Sequence, residues 1–174
     1  MIFSKKTKKD SAYFEMAESI ASLSKDENTK VGSVIVDVDG KVVSMGYNGI
    51  PSGFGNDTGI TDKDVPHGRE KKKMWLKDNY KCLDIDCNFE EGKHPFMIHS
   101  EQNAIITTSD KTRLNGATLY CTHYCCPSCA GLICQSGIKT VKVLDKRHSM
   151  FTQTIHATLY MFENVGVDFS VFEV

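Results

Sequence analysis

His99, Ser100 and Glu101 stand in a row, and Cys126-Pro127-Ser128-Cys129 follows 27 residues after His99. A C-x-x-C placed where a helix begins lets two sulfurs converge on one metal ion, and the helix N-terminus favours their thiolate forms. An imidazole from His99 would supply a third ligand and leave the fourth tetrahedral position of a zinc ion open. Open coordination is what separates a catalytic zinc from a structural one. Such an ion lowers the pKa of its bound water from about 15.7 towards about 7, which makes hydroxide near neutral pH. Two thiolates would cancel the formal charge of the ion and temper it as an electrophile. Glu101 has a different part. Residues i and i+2 of a regular helix point about 200° apart, so His99 and Glu101 cannot both bind one metal from a continuous turn. At the start of a helix, His99 can reach the metal while Glu101 approaches the water as a proton shuttle.

Other readings of the same cysteines stay open at this level. A C-x-x-C also serves as a redox motif or as half of a closed, four-ligand structural zinc site, and Cys125 offers a further sulfur. A closed site of that kind would suit a non-enzymatic zinc module that binds nucleic acid or a protein. The H-x-E on a separate segment favours the catalytic reading, because a structural site has no use for Glu101.

Placing these groups takes a scaffold that alternates strands and helices. Apolar residues Tyr13, Ala17, Ile20 and Ala21 recur at helical spacing within 11–23, with Asp10 as the expected N-cap. Residues 31–38 are rich in β-branched side chains and lead into Asp39-Gly40, a hairpin signal, with a return strand expected over 41–47. From Ser100 the pattern predicts a helix over 100–108, a strand over 117–122 and a helix over 126–136 closed by Gly137. A strand over 140–144, a helix over 152–164 stopped by Gly166 and a last strand over 168–172 complete it. Five strands interleaved with helices imply a three-layer α/β/α sandwich around a mixed sheet. The expected organisation is one domain over residues 1–174 with an insertion at about 60–95.

The composition sets outer limits on the function. The chain has 174 residues, 21 basic and 22 acidic side chains, and 40% hydrophobic residues. That length suits one domain with a sizeable core, and the charge balance argues against a coat for long nucleic acid or an anionic membrane. No apolar run approaches the roughly 18 residues of a membrane span, and the N-terminus lacks a secretory core, so a cytoplasmic protein is expected. Seven cysteines in a reducing compartment are ligands, catalytic groups or small buried hydrophobes rather than disulfides.

The combined H-x-E and C-x-x-C pattern is that of the zinc nucleobase deaminases. More narrowly, the chain resembles the deoxycytidylate (dCMP) deaminases, including those of large DNA phages. The resemblance is carried by SKDENTKVGSVIV (24–36), GYNGIPSG (46–53), HSEQNAI (99–105), GATLYCTHYCCPSC (116–129) and QSGIKTV (135–141). It covers nearly everything outside 60–95 and implies a cytidine deaminase-like fold. It implies His99, Cys126 and Cys129 as zinc ligands, with Glu101 moving protons while water replaces the amino group at C4 of dCMP. The products would be ammonia and dUMP, the precursor of thymidylate. By the same resemblance Asn48 would hold the sugar hydroxyl, and the backbone N–H groups of Ser100 and Cys126 would engage the base. Lys30 would meet the 5′-phosphate, with Thr29 and Tyr124 as neighbours.

The resemblance further implies activation by dCTP and inhibition by dTTP, with Mg²⁺ accompanying the triphosphate, in a homohexamer of the cytoplasm, or of the host cytoplasm if the source is viral. Gly46, Tyr47, Gly49 and Gly53 fall in the segment where such effectors bind. Deamination of dCTP alongside dCMP is the alternative within the enzyme class. Two departures from the family pattern stand out: Cys125 where proline usually precedes the first cysteine ligand, and Ser100 in place of the alanine of H-A-E. The segment 62–94 carries eight basic and eight acidic residues, among them Lys71, Lys72 and Lys73. Within that stretch Cys82, Cys87, His67 and His94 are candidates for a second metal site, while Cys121 and Cys134 are expected in the core.

Overall fold

The computed structural model describes residues 4–26, 29–52, 97–146 and 152–174. The chain divides into two compact units, one of Met1–Gly49 with His99–Val174 and the other of Ile50–Ile98. All the elements below belong to the first.

Helix α1 runs over Lys8–Ala21, starting earlier than the apolar spacing suggests. Its N-cap is Thr7 and not Asp10: Thr7 Oγ1 accepts from the Asp10 N–H at 3.1 Å, and Asp10 Oδ2 accepts from the Thr7 N–H at 2.9 Å. This is a capping box with aspartate at its third position. Lys8 and Lys9 open the helix without apolar side chains, so its first turn is invisible to hydrophobic periodicity.

Strands β1 (Gly32–Val36) and β2 (Val42–Tyr47) pair antiparallel, with a register shift between Ile35 and Val36. The turn between them is longer than the two-residue hairpin that Asp39-Gly40 suggests. Asp37 Oδ1 accepts from the N–H groups of Asp39 and Lys41, at 3.1 and 2.8 Å, so a side chain organises the turn.

Helix α2 (Ser100–Thr107), strand β3 (Thr118–Cys121), helix α3 (Pro127–Ser136) and strand β4 (Thr140–Leu144) follow, with α3 closed by Gly137 at φ +85°. Helix α4 (Thr152–Val165) and strand β5 (Asp168–Phe172) end the unit. A 3-10 turn at Lys111–Leu114, capped by Asp110, has no counterpart in the sequence expectations.

The sheet order is β2-β1-β3-β4-β5. β1 runs antiparallel to β2 and β3, and the β3–β4 and β4–β5 pairs are parallel. Alternate strand residues feed two cores. Val34, Val36, Tyr120, Leu144 and Phe172 pack with Phe14 and Ala17 of α1 on one face. Ile35, Leu119, Val141, Val143 and Val171 pack on the other with Ala104, Ile105, Ala130, Ile133 and Phe162 of α2, α3 and α4. Burial of each large apolar side chain contributes about 1.5–3 kcal/mol. The result is the expected three-layer α/β/α sandwich around a five-stranded mixed sheet.

Two features matter for the site. Gly46 of β2 lets α2 lie directly on the sheet: a Cβ there would fall 2.3 Å from the Ser100 carbonyl oxygen and 2.4 Å from the Ala104 nitrogen. On the opposite face, Asp10 Oδ1 accepts from the Tyr120 hydroxyl at 2.9 Å and from Lys142 Nζ at 2.7 Å, tying α1 to β3 and β4. Burial would raise the Asp10 pKa, yet the hydrogen bonds from Lys142, Thr7 and Tyr120 together hold it well below the usual carboxylate range. Among the described residues no helix is long and apolar enough to cross a membrane.

Candidate metal centre and active site

Two helix starts meet here. His99 is the N-cap of α2, in extended backbone at φ −75° and ψ 157°, with its N–H donated to Gln102 Oε1 at 2.8 Å. Cys126 is the N-cap of α3 at φ −77° and ψ 165°, and Pro127 supplies the fixed φ that suits a first helical residue. Cys129 then sits in the first turn of α3, on the side facing Cys126.

His99 Nδ1 lies 3.4 Å from Cys126 Sγ and 3.3 Å from Cys129 Sγ, and the three donor atoms are all within 4.8 Å of one another. A tetrahedral zinc with ordinary Zn–S and Zn–N bonds would separate its nitrogen and sulfur ligands by about 3.6 Å. The donor set fits zinc in spacing and in chemistry. Its hydrogen bonding without a cation points the same way, since one Nδ1 faces two sulfurs and can bond well to only one. The neighbouring Cys129 thiol, and after it the His99 ring, hold the Cys126 thiol down to about 4 against the upward pull of burial. Cys129 is pushed the other way, first by Cys126 and then by burial, and keeps its proton. His99 is raised chiefly by the Cys126 sulfur. A divalent cation is what would let both sulfurs be thiolates at once.

Glu101 is 3% exposed on the first turn of α2. Burial raises its pKa above the usual glutamate value, opposed by its own backbone N–H, the His99 ring and the Ser100 hydroxyl. Its carboxylate groups with the sulfurs of Cys121 and Cys125 rather than with His99, Cys126 and Cys129. Cys125, the further sulfur beside the C-x-x-C, is instead buried in the core with Glu101 and Cys121. Its thiol stays protonated through its hydrogen bond with Cys121 and its burial. Cys121 is fully buried, and Cys134 is half-buried against the same core.

The expected substrate groups are less convergent. Asn48 is buried, with Oδ1 accepting from the Val31 N–H at 2.8 Å and Nδ2 donating to the Thr29 carbonyl at 2.9 Å. It braces the chain entering β1. The exposed Lys30 ammonium donates to the Ser22 carbonyl at 3.3 Å, and the Tyr124 hydroxyl donates to Asp145 at 3.1 Å. Gly46 has a packing role, Tyr47 accepts through its carbonyl from Asn103 Nδ2 at 2.7 Å, and Gly49 has open space around its Cα. Gly53, His67, Cys82, Cys87 and His94 lie outside the described residues.

The sequence pattern did not single out Ser33, whose hydroxyl lies 2.7 Å from that of Ser100, beside Glu101. The available signal was a lone serine in a β-branched strand that is buried along its whole length. His123 also gains a partner: its Nδ1 lies 3.0 Å from Thr122 Oγ1, which accepts from the Gly32 N–H at 3.1 Å.

Residues 7–145 match the family model described as the cytidine and deoxycytidylate deaminase zinc-binding region. The chain belongs to this family. Among curated relatives, a Caenorhabditis elegans protein named "Probable deoxycytidylate deaminase" is 35% identical over 143 residues, which are 82% of this chain and 60% of that protein. The deoxycytidylate deaminase of Enterobacteria phage T4 is 32% identical over 148 residues, covering 75% of each chain. Among solved structures, dCMP deaminase from the cyanophage S-TIM5 in complex with dCMP and dUMP aligns with TM-score 0.63 and 26% identity. That alignment covers 97% of this chain and 100% of the cyanophage chain. Membership in the deaminase family, its zinc-binding character and its fold therefore agree with the sequence resemblance.

Proposed function

We propose that the protein hydrolyses dCMP to dUMP and ammonia, with zinc held by His99, Cys126 and Cys129. The observation that carries this reading is the meeting of three zinc-suited donors at two helix N-termini, with a buried carboxylate in the first turn of α2. Bound zinc would supply the Lewis acidity that makes water a nucleophile near neutral pH.

Glu101 does the proton work. Its carboxylate takes a proton from the attacking water and passes it to N3 of the pyrimidine, as oxygen bonds to C4. A second proton goes by the same carboxyl to the amino nitrogen, the C4–N bond breaks, and ammonia leaves as C4 becomes a carbonyl. Burial suits Glu101 to this exchange because it brings the protonated and ionised forms closer in free energy. The backbone N–H groups of Ser100 and Cys126, at the two helix starts, serve to orient the base. Asn48 joins β2 to the segment before β1, where Lys30 offers a cation for the 5′-phosphate.

Substrate choice and control belong to the same proposal. The relatives named for deoxycytidylate, and the cyanophage enzyme solved with dCMP and dUMP, support the monophosphate as substrate. Activation by dCTP and inhibition by dTTP, with Mg²⁺ and a hexameric assembly, rest on the family resemblance alone. One experiment addresses substrate and effectors together: initial rates on dCMP, dCTP, cytidine and single-stranded DNA, each with and without dTTP or dCTP. The expected result is turnover of dCMP above the other three, raised by dCTP and lowered by dTTP at low substrate. Preference for another substrate would overturn the assignment, and flat responses would remove the regulation.

A further inference from the structure

Ser33 is a fully buried hydroxyl on β1, a strand whose next three residues are Val34, Ile35 and Val36. A hydroxyl removed from water costs free energy unless it is hydrogen-bonded. Its partner is Ser100, at 2.7 Å between the two oxygens, and Ser100 is itself fully buried. Ser100 Oγ donates to Glu101 Oε2 at 3.0 Å. Each hydroxyl has one proton. With the Ser100 proton committed to Glu101, the short contact is made by Ser33 donating to Ser100. The chain Ser33 to Ser100 to Glu101 thus runs from the sheet into the carboxyl group.

The three residues come from different parts of the chain and are fixed by independent packing. Ser33 is paired through its backbone with Gly46 on one side and Cys121 on the other. Ser100 is pressed onto that sheet where Gly46 permits close approach. The sheet therefore reaches one oxygen of the carboxyl group through two hydrogen bonds. We propose that Ser33 is a positioning residue for Glu101, acting through the Ser100 hydroxyl to hold the carboxyl in the orientation that proton transfer requires. The inference rests on the reading of Glu101 as the proton carrier.

Ser33→Ala removes one oxygen from a buried site and leaves the strand pairing in place. The expected result is a fall in kcat of about 5- to 20-fold, the scale of one supporting hydrogen bond in a catalytic site. KM for dCMP and zinc content should be unchanged. In a Ser100→Ala background the same substitution should cost nothing further, because the chain is already cut. Independent of turnover, the Glu101 carboxyl band, identified by infrared difference against Glu101→Gln, should shift in Ser33→Ala. An unmoved band overturns the proposal whatever the wild type does with dCMP. Losses in kcat that multiply in the double variant overturn it as well. A wild type inactive on dCMP, with the band shifted, would instead count against the deaminase reading while upholding the Ser33–Glu101 link.

Discussion

At the scale of residues, the site turns on which sulfurs face the metal position. Cys125 and Cys126 are neighbours in sequence but point to different environments. Cys126 lies 3.4 Å from His99 Nδ1, whereas Cys125 is 1% exposed and grouped with Cys121 and Glu101. The helix start separates them, because the N-cap residue and the one before it project differently. Cys125→Ala should accordingly retain one zinc per site, while Cys126→Ala should lose it, both measured by metal analysis after dialysis. Zinc retained in Cys126→Ala and lost in Cys125→Ala would exchange the two assignments. The motif residues were legible in sequence because their spacing is local and their chemistry narrow. The bond between Ser33 and Ser100 was not, since it joins residues 67 apart that no local pattern relates. Asn48 is a similar case: its place in GYNG was visible, but its bracing of Thr29 and Val31 appears only once β1 and β2 are paired.

Strand positions followed from β-branched runs, and the end of α3 from Gly137, because such residues restrict or permit backbone conformations directly. The start of α1 and the length of the turn at 37–41 did not follow, since both depend on a side-chain carboxylate meeting a backbone N–H. The most consequential element contact is α2 on β2. Adding a Cβ at Gly46 would press on the backbone of α2 at Ser100 and Ala104, and α2 carries both His99 and Glu101. Gly46→Ala should therefore destabilise the fold by about 1–3 kcal/mol, the usual range for overpacking. It should also weaken zinc retention, because the helix start that presents His99 must shift. Urea unfolding and metal analysis of the same preparation check both effects, and an unchanged variant would show that α2 is free to move.

For the whole molecule, the two faces of the sheet divide the labour. One face carries α2, α3 and α4 and the candidate site, and the other is closed by α1, pinned through Asp10 to Tyr120 and Lys142. The Asp10–Lys142 pair spans 132 residues, so no sequence window contains it. Asp10 has a folded-state pKa below its unfolded value of about 3.9. Its contribution is then fully present above about pH 4 and is lost as the pH falls towards the folded-state value. Asp10→Asn should be less stable than wild type by about 1.5–3 kcal/mol at pH 7, the range for hydrogen bonds to a charged group. The gap should narrow below about pH 4, where the unfolded wild type takes up a proton. Unfolding curves at pH 7 and pH 3 would reveal this, and a gap independent of pH would contradict it.

The central claim is that a zinc held by His99, Cys126 and Cys129 works with Glu101 as a separate proton carrier. Measuring zinc content and dCMP turnover on the same samples of wild type and Glu101→Gln tests it most directly. Zinc should be equal in both, with turnover in the variant reduced by about 10²–10⁴-fold, the usual contribution of general acid–base catalysis. A Glu101→Gln protein that still deaminates dCMP at the wild-type rate, or that loses its zinc, would contradict it.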